Sequence, residues 1–390
     1  MSTIITDPAL LTGQATEDAQ PRKIGQYVTT NHIHYDGHTG QIYKIWLLNF
    51  LMNIITLGIY SFWGKTRLRQ YVAGAFSLNK DRFEYTGTGK ELFLGFLKAI
   101  PLFLVLYLPY MVASFMDPEA IWPLVLLVPL FYVFPIAIYS ALRYRMNRTN
   151  WRSIRFGLDG SAIRYANLYL WRWFLDIVSL GILIPYSDVK RYRYLADHAS
   201  YGNILFRFEG RGKDLMFIHL ATYSVALGLL LIAFYGFQLI AASFAMMQAT
   251  AAEYGLPIDE AVFFMLSETS LPGALAYIML PFILFPLVRL IYKTALIHEM
   301  TNHLYAGDIG FRSTVTTTGL IKLKLGNFFI LMCTLGLGMP YVMQRNLRFF
   351  AQHTQVRGDL ETSDIKQVTN RKSSDAEGLQ AVMGLDSGLM

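Results

Sequence analysis

The stretch WRWFLDIV (171–178) sets Arg172 and Asp176 four residues apart, on one face of a helix. Both lie among apolar residues, where a charge is expensive unless it is paired or put to use. Sliding the sequence by 123 residues brings Asn49 and Asn53 onto the same two positions, and sliding it by 155 brings Asn327 and Leu331 there. A polar position shared by three related stretches can line a small-solute site between them, as broken helices do in transporters. The same residues can equally tie neighbouring helices together.

A second set is basic and aromatic. KTRLRQY, DVKRYRY and MQRNLRF carry Lys65, Arg67, Arg69, Lys190, Arg191, Arg193, Arg345 and Arg348. Amphipathic helices of this kind lie at a membrane interface with cations toward the headgroups, which makes the bilayer, and anionic lipids in particular, the expected partner. Other chemistries find little support. TGTGKEL and GRGKDL lack the phosphate-loop spacing. His32, His34, Asp36 and His38 alternate without forming a defined zinc cage. HEMTNH spaces its histidines i, i+5 rather than i, i+4. No nucleophile elbow or dinucleotide fingerprint occurs. The sequence therefore offers no catalytic residue, metal or cofactor, and the expectation is a protein that is not an enzyme.

The elements that position these residues are membrane elements. The 390 residues are 54% hydrophobic and 16% charged, far from the balance of a soluble domain. The net charge of +7 gathers at the ends of apolar segments, as membrane topology requires, and does not indicate nucleic acid. Four stretches are long enough to span: 92–116, 121–142, 215–253 and 271–288. Lys98, His219, Arg289 and Lys293 read as snorkelling or anchoring residues near the span ends. Three further apolar stretches, 45–63, 168–186 and 325–342, are shorter. Segments 64–91, 143–164 and 187–213 are basic, whereas Asp117, Glu119, Glu253, Asp259, Glu260 and Glu268 mark the opposite side. Only an arrangement in which the three short stretches enter and return keeps all the basic segments in the cytoplasm. The alternative is seven spans.

The three short stretches align without gaps. Leu57-Gly58 matches Leu180-Gly181 and Leu335-Gly336, and Tyr71 matches Tyr194 and Phe349. The expected module is an apolar half-helix, a turn with glycine at the left-handed helix end, and a basic interfacial helix. A strand-and-turn pattern recurs at 32–40, 82–89, 153–160, 205–212 and 308–313, and implies a small cytoplasmic sheet outside the hydrocarbon.

The run NIITLGIYSFWGKTRLRQY, followed by FEYTGTGKEL and an apolar span, resembles the YjgN-like family of bacterial inner-membrane proteins, a domain of unknown function. Leu57, Gly58, Tyr60, Trp63, Arg67 and Tyr71 carry the pattern, and Lys190 and Arg345 replace the arginine in the later copies. The resemblance covers roughly residues 30–355 and implies a multi-pass protein with no assigned catalytic residues.

The expected fold is therefore an all-α multi-pass membrane protein. It has about four spans plus three repeated broken, re-entrant or interfacial elements (31–91, 154–214, 309–357). Span pairs lie at 92–142 and 215–297, with short cytoplasmic strands and both termini in the cytoplasm. Residues 1–30 and 358–390 read as disordered tails. Two functions follow: small-solute transport through the polar seam of Asn49, Asn53, Arg172, Asp176 and Asn327, or a non-enzymatic scaffold acting on lipid through the basic helices.

Overall fold

A computed structural model describes residues 30–255 and 270–358. Apart from Thr30 and Gly358, the tails read as disordered lie outside the described residues, as do Asp259, Glu260 and Glu268. Ten short strands form a closed antiparallel barrel: β1 (Thr30–Tyr35), β2 (Phe76–Leu78), β3 (Asp81–Tyr85), β4 (Thr149–Trp151), β5 (Ile154–Leu158), β6 (Ala199–Tyr201), β7 (Ile204–Phe208), β8 (Leu304–Ala306), β9 (Ile309–Ser313) and β10 (Thr354–Arg357). The barrel overturns the all-α expectation. Its longer strands coincide with the five aromatic-glycine patterns. Their partners are three or four residues long, too short for any alternation to register against the helices around them.

The order strand, helix pair, strand recurs five times. Hairpin I is α1 (Thr39–Ile55) and α2 (Ser61–Ala75). Hairpin II is α3 (Gly89–Met116) and α4 (Val128–Asn147), joined through a 3-10 turn at Trp122–Leu127. Hairpin III is α5 (Ala162–Val178) and α6 (Ile184–Asp197). Hairpin IV is α7 (Met216–Tyr254), entered by a 3-10 turn at Gly212–Leu215, and α8 (Ser270–Asn302). Hairpin V is α9 (Thr317–Cys333) and α10 (Met339–His353). Two-residue turns such as Asn79-Lys80 and Arg152-Ser153, both left-handed, join the strands at the opposite end of the barrel. All five helix pairs therefore rise from one rim.

The barrel interior follows from period-2 patterning. Ile33, Phe83, Phe156, Phe206 and Phe311 point inward from the long strands, opposite Leu78, Trp151, Tyr201, Ala306 and Val356. These ten side chains pack as one apolar cluster that fills the barrel. His32, His34, Arg82, Glu84, Arg155, Arg207 and Arg312 alternate with them and are exposed outside. Closure by β1 against β10 leaves no free sheet edge.

Among the described residues, four helices are long and apolar enough to cross a membrane: Gly89–Met116, Trp122–Asn147, Gly212–Glu253 and Leu275–Asn302. They belong to hairpins II and IV. In hairpins I, III and V the helices are 14 to 17 residues long. Helix contacts run around the ring in chain order, α2 on α3, α4 on α5, α8 on α9 and α10 on α1, while α6 packs on the turn entering α7.

Candidate functional site

Where barrel meets helices, each unit is built the same way. The N–H just after each long strand donates to the carbonyl closing the same hairpin: Asp36 to Ala75 at 2.9 Å, Thr86 to Arg148 at 2.8 Å, Asp159 to His198 at 2.8 Å, Glu209 to His303 at 3.0 Å and Thr314 to His353 at 2.8 Å. Each unit also reaches its neighbour. Gln70 donates to the Gly87 carbonyl (3.2 Å), Arg143 to Gly160, and Arg193 to Gly210 (2.6 Å). His298 Nε2 lies 2.6 Å from the Val315 carbonyl, and Gln344 donates to Gly37 (2.6 Å), closing the collar. TGTGKEL proves to be a capping box, with Thr88 and Glu91 satisfying each other's backbone N–H.

At the far end, the short hairpins turn on Leu57-Gly58, Leu180-Gly181 and Leu335-Gly336. Leucine, not glycine, holds the first left-handed position (φ 50°, 51° and 48°), and glycine follows at 90°, 87° and 89°. The glycine N–H reaches back to Asn53, Asp176 and Leu331 at 2.7, 2.6 and 2.9 Å, and the leucine N–H to Ile54, Ile177 and Met332. This is a Schellman ending with leucine in glycine's usual place. A hydroxyl at Thr56, Ser179 or Thr334 then accepts from the N–H of Tyr60, Leu183 or Gly338 (3.0, 3.2 and 2.8 Å). As a result, the six consecutive N–H groups of 56–61, of 179–184 and of 334–339 all bond within their own turn. The leucines themselves are 94%, 77% and 92% exposed.

The polar residues singled out in the sequence do not meet at one centre. Asn49, Asp176 and Asn327 each face the second helix of their own hairpin. The Asn49 amide sits where a side chain at Gly64 would be, and its Oδ1, like that of Asn53, is enclosed without a donor. Asn327 donates to Asn346 at 2.8 Å, both buried. Hairpin III lies between II and IV, and these two long pairs separate it from I and V. Arg172 and Asp176 make no ion pair with each other. The Arg172 Nε is enclosed without an acceptor, while Asp176 accepts from Ser187 (2.5 Å) and lies 3.8 Å from Arg191.

Arg191 continues the network to Asp188 (2.8 Å), and Tyr292 of α8 donates to Asp188 (2.9 Å). His219 of α7, 1% exposed, meets the Gly181 carbonyl at 3.0 Å and stands edge-on to Tyr292; Tyr223 donates to the Leu180 carbonyl. Ser187, Asp188, Tyr292, His219 and Tyr223 were not expected to join Asp176. The available signal was Asp188, an acid one turn before Arg191 at the head of the basic run KRYR.

The basic set divides. Arg67, Lys190 and Arg348 are exposed, whereas Lys65, Arg69, Arg191, Arg193 and Arg345 are partly buried. Arg69 donates to Tyr85 (3.2 Å), and the Arg345 guanidinium lies against Gly326. Burial and the nearby Arg69 charge lower the pKa of Lys65. Among the described residues no three His, Cys, Asp or Glu side chains gather as a metal site would require.

A family model, the bacterial protein of unknown function DUF898, matches residues 30–382, beginning at the first barrel strand. The chain belongs to the DUF898 family. It is also similar to the inner membrane protein YjgN of Salmonella typhimurium, 25% identical over 389 residues that cover 87% of this chain and 93% of the relative. The family resemblance carried by the Leu57–Tyr71 pattern is thereby borne out. No solved structure matches.

Proposed function

We propose that this DUF898 protein is a non-enzymatic, multi-pass scaffold of the bacterial inner membrane that acts on the cytoplasmic leaflet through three inserted hairpins. Hairpins II and IV span, the barrel and both chain ends lie in the cytoplasm, and hairpins I, III and V derive from one repeated module that enters the lipid and returns. The observation that carries this reading is the contact of the Leu180-Gly181 tip with His219 and Tyr223. Those are the fourth and eighth residues of α7, at most about 11 Å along it. Beyond Tyr223, α7 continues for 31 residues. A hairpin whose tip stops there reaches no deeper than the inner half of a hydrocarbon core of about 30 Å. The self-contained hydrogen bonding of all three tips suits burial in lipid, where a free N–H is costly, and so do the exposed leucines.

The transport reading has less support. The polar residues face into separate hairpins, and the barrel below them is packed with aromatic side chains. The test is a set of single cysteines on a Cys333→Ser background. Cysteines replacing Leu57, Leu180 and Leu335 should be quenched by nitroxide lipids of the inner leaflet. They should resist water-soluble maleimide from either side. Cysteines replacing Lys80, Arg155 and Leu205 should label only from the cytoplasm. External labelling at 205 with internal labelling at 155 would restore seven spans and overturn the proposal.

A further inference from the structure

A shift of 155 residues carries α4 and hairpin III onto α8 and hairpin V: Arg148, whose carbonyl closes hairpin II, maps onto His303, and the Asp159–His198 backbone bond maps onto Thr314–His353 with its spacing unchanged. Position by position, α4 maps onto α8 and α5 onto α9. In the first seam Ile138 and Tyr169 pack on the buried Tyr139–Tyr165 cluster, and Phe134 meets Tyr169 edge-on at 6.5 Å. In the second seam the apolar frame persists, with Leu290 and Ile297 of α8 against Leu320 and Leu323 of α9. The residues at 138, 169 and 134, however, become Lys293, Lys324 and Arg289.

Three cations thus replace an isoleucine and two aromatics in the same kind of helix seam. Among the described residues no carboxylate lies within ion-pair distance of any of them, and Arg289 stacks over Tyr292 instead. Burial and the Lys293 charge lower the pKa of the Lys324 ammonium, as expected of two like charges held together. Lys293 and Arg289 are exposed. Around them Phe285, Ile291, Leu325 and Phe328 are exposed as well, an apolar surround that fits acyl chains and not a dissolved ion.

We propose that the α8–α9 seam binds the phosphodiester of an anionic phospholipid through Lys293 and Lys324, with Arg289 one turn away. This rests on the membrane placement given above and names the lipid class that the scaffold selects. Cations with no protein counter-charge at the level of a leaflet are the expected complement of such headgroups.

The test is thermal unfolding of the full-length protein in mild detergent with added phosphatidylglycerol, phosphatidylcholine or inorganic phosphate. Phosphatidylglycerol should raise Tm by several degrees more than either of the others. The double variant Lys293→Ile with Lys324→Tyr, which restores the residue types of the other seam, should erase that difference. Lys322→Gln, on the opposite face of α9, should keep it. Where the double variant does not fold, Lys293→Gln and Lys324→Gln taken singly should each reduce the shift by at least half. Equal shifts with the two lipids, a full shift in these variants, or an equal effect of inorganic phosphate overturns the site. External labelling at 205 would remove the scaffold reading while leaving the lipid shift standing. A lost shift with cytoplasmic labels intact removes only the lipid site.

Discussion

The Tyr194 hydroxyl both accepts from the Ser161 N–H (3.1 Å) and donates to the Ser161 carbonyl (2.8 Å), clasping the two feet of hairpin III. Tyr71 clasps His38 in the same way in hairpin I, at 2.7 and 3.2 Å. Phe349 stands at the equivalent position of hairpin V, so the ring alone is compatible with the fold.

Tyr194→Phe should therefore cost the clasp without disturbing packing. Ser161 would be left with an unmatched N–H in a partly buried place, a loss of about 1 kcal/mol, while its carbonyl still accepts from the Tyr165 N–H at 3.1 Å. Tyr71→Phe, whose bonds are solvent-exposed, should cost less. Tm values of the two variants in one detergent check the order, and equal losses would refute it.

Removing Arg191 should be worse than neutralising one of its partners. Arg191→Met leaves Asp176 and Asp188 facing each other, whereas Asp176→Asn keeps the Arg191–Asp188 pair and can still accept from Ser187. Stranding a buried charge costs about 3–5 kcal/mol, less where water reaches the group. These side chains are 13–23% exposed, so about 2 kcal/mol is expected for Arg191→Met and about 1 kcal/mol or less for Asp176→Asn, read as the difference in unfolding free energy.

Alkaline stability should depend on the barrel core. Burial pushes the Tyr201 phenol up to about 12, and its hydroxyl donates to the Trp151 carbonyl at 2.8 Å. The unfolded chain releases this proton near pH 10 and the folded chain near 12. The contribution is therefore complete below pH 10 and lost as pH rises to 12, about 2 kcal/mol in all. Tyr201→Phe should make the fall in stability between pH 10 and 12 shallower, the rest coming from other buried phenols such as Tyr35 and Tyr165, also pushed up to about 12, and an unchanged slope would show that Tyr201 does not titrate there.

Gly89 and Gly212 occupy the same position in hairpins II and IV. A methyl at either would come within 2.8 Å of a backbone atom, Cα of Trp63 or of Tyr186, where the previous hairpin's second helix crosses. Both glycine-to-alanine changes should separate neighbouring hairpins and cost about 1–3 kcal/mol. Gly40→Ala, with open space around it, should be nearly silent. Parallel Tm measurements on the three variants decide this.

Much of the architecture was legible because its signals are long or repeated. The four long apolar helices, the three short hairpins and the five long strands were marked by apolar length, by the 123- and 155-residue shifts and by aromatic-glycine patterns. The barrel was not legible. Strands such as β2 and β6 hold three residues, and their pairing is set by the helix pairs that return them to the rim. The Leu-Gly turn was located, but its glycine was placed one residue early, since leucine in a left-handed turn runs against its ordinary preference. Asp176 was found as a polar residue, but its partners were not. These, Ser187 and Arg191, lie on a different helix, and the network's far end, Tyr292, is more than a hundred residues away.

The β1–β10 pair makes the order of assembly a property of the fold. Each hairpin can form as it leaves the ribosome and be stapled to its predecessor by the strands beneath it. The ring stays open until the last strand has been made. Thr30 must wait for Arg357, so the first strand keeps an unpaired edge until β10 has been made, and the final few residues of β10 turn an open arc of hairpins into a closed ring.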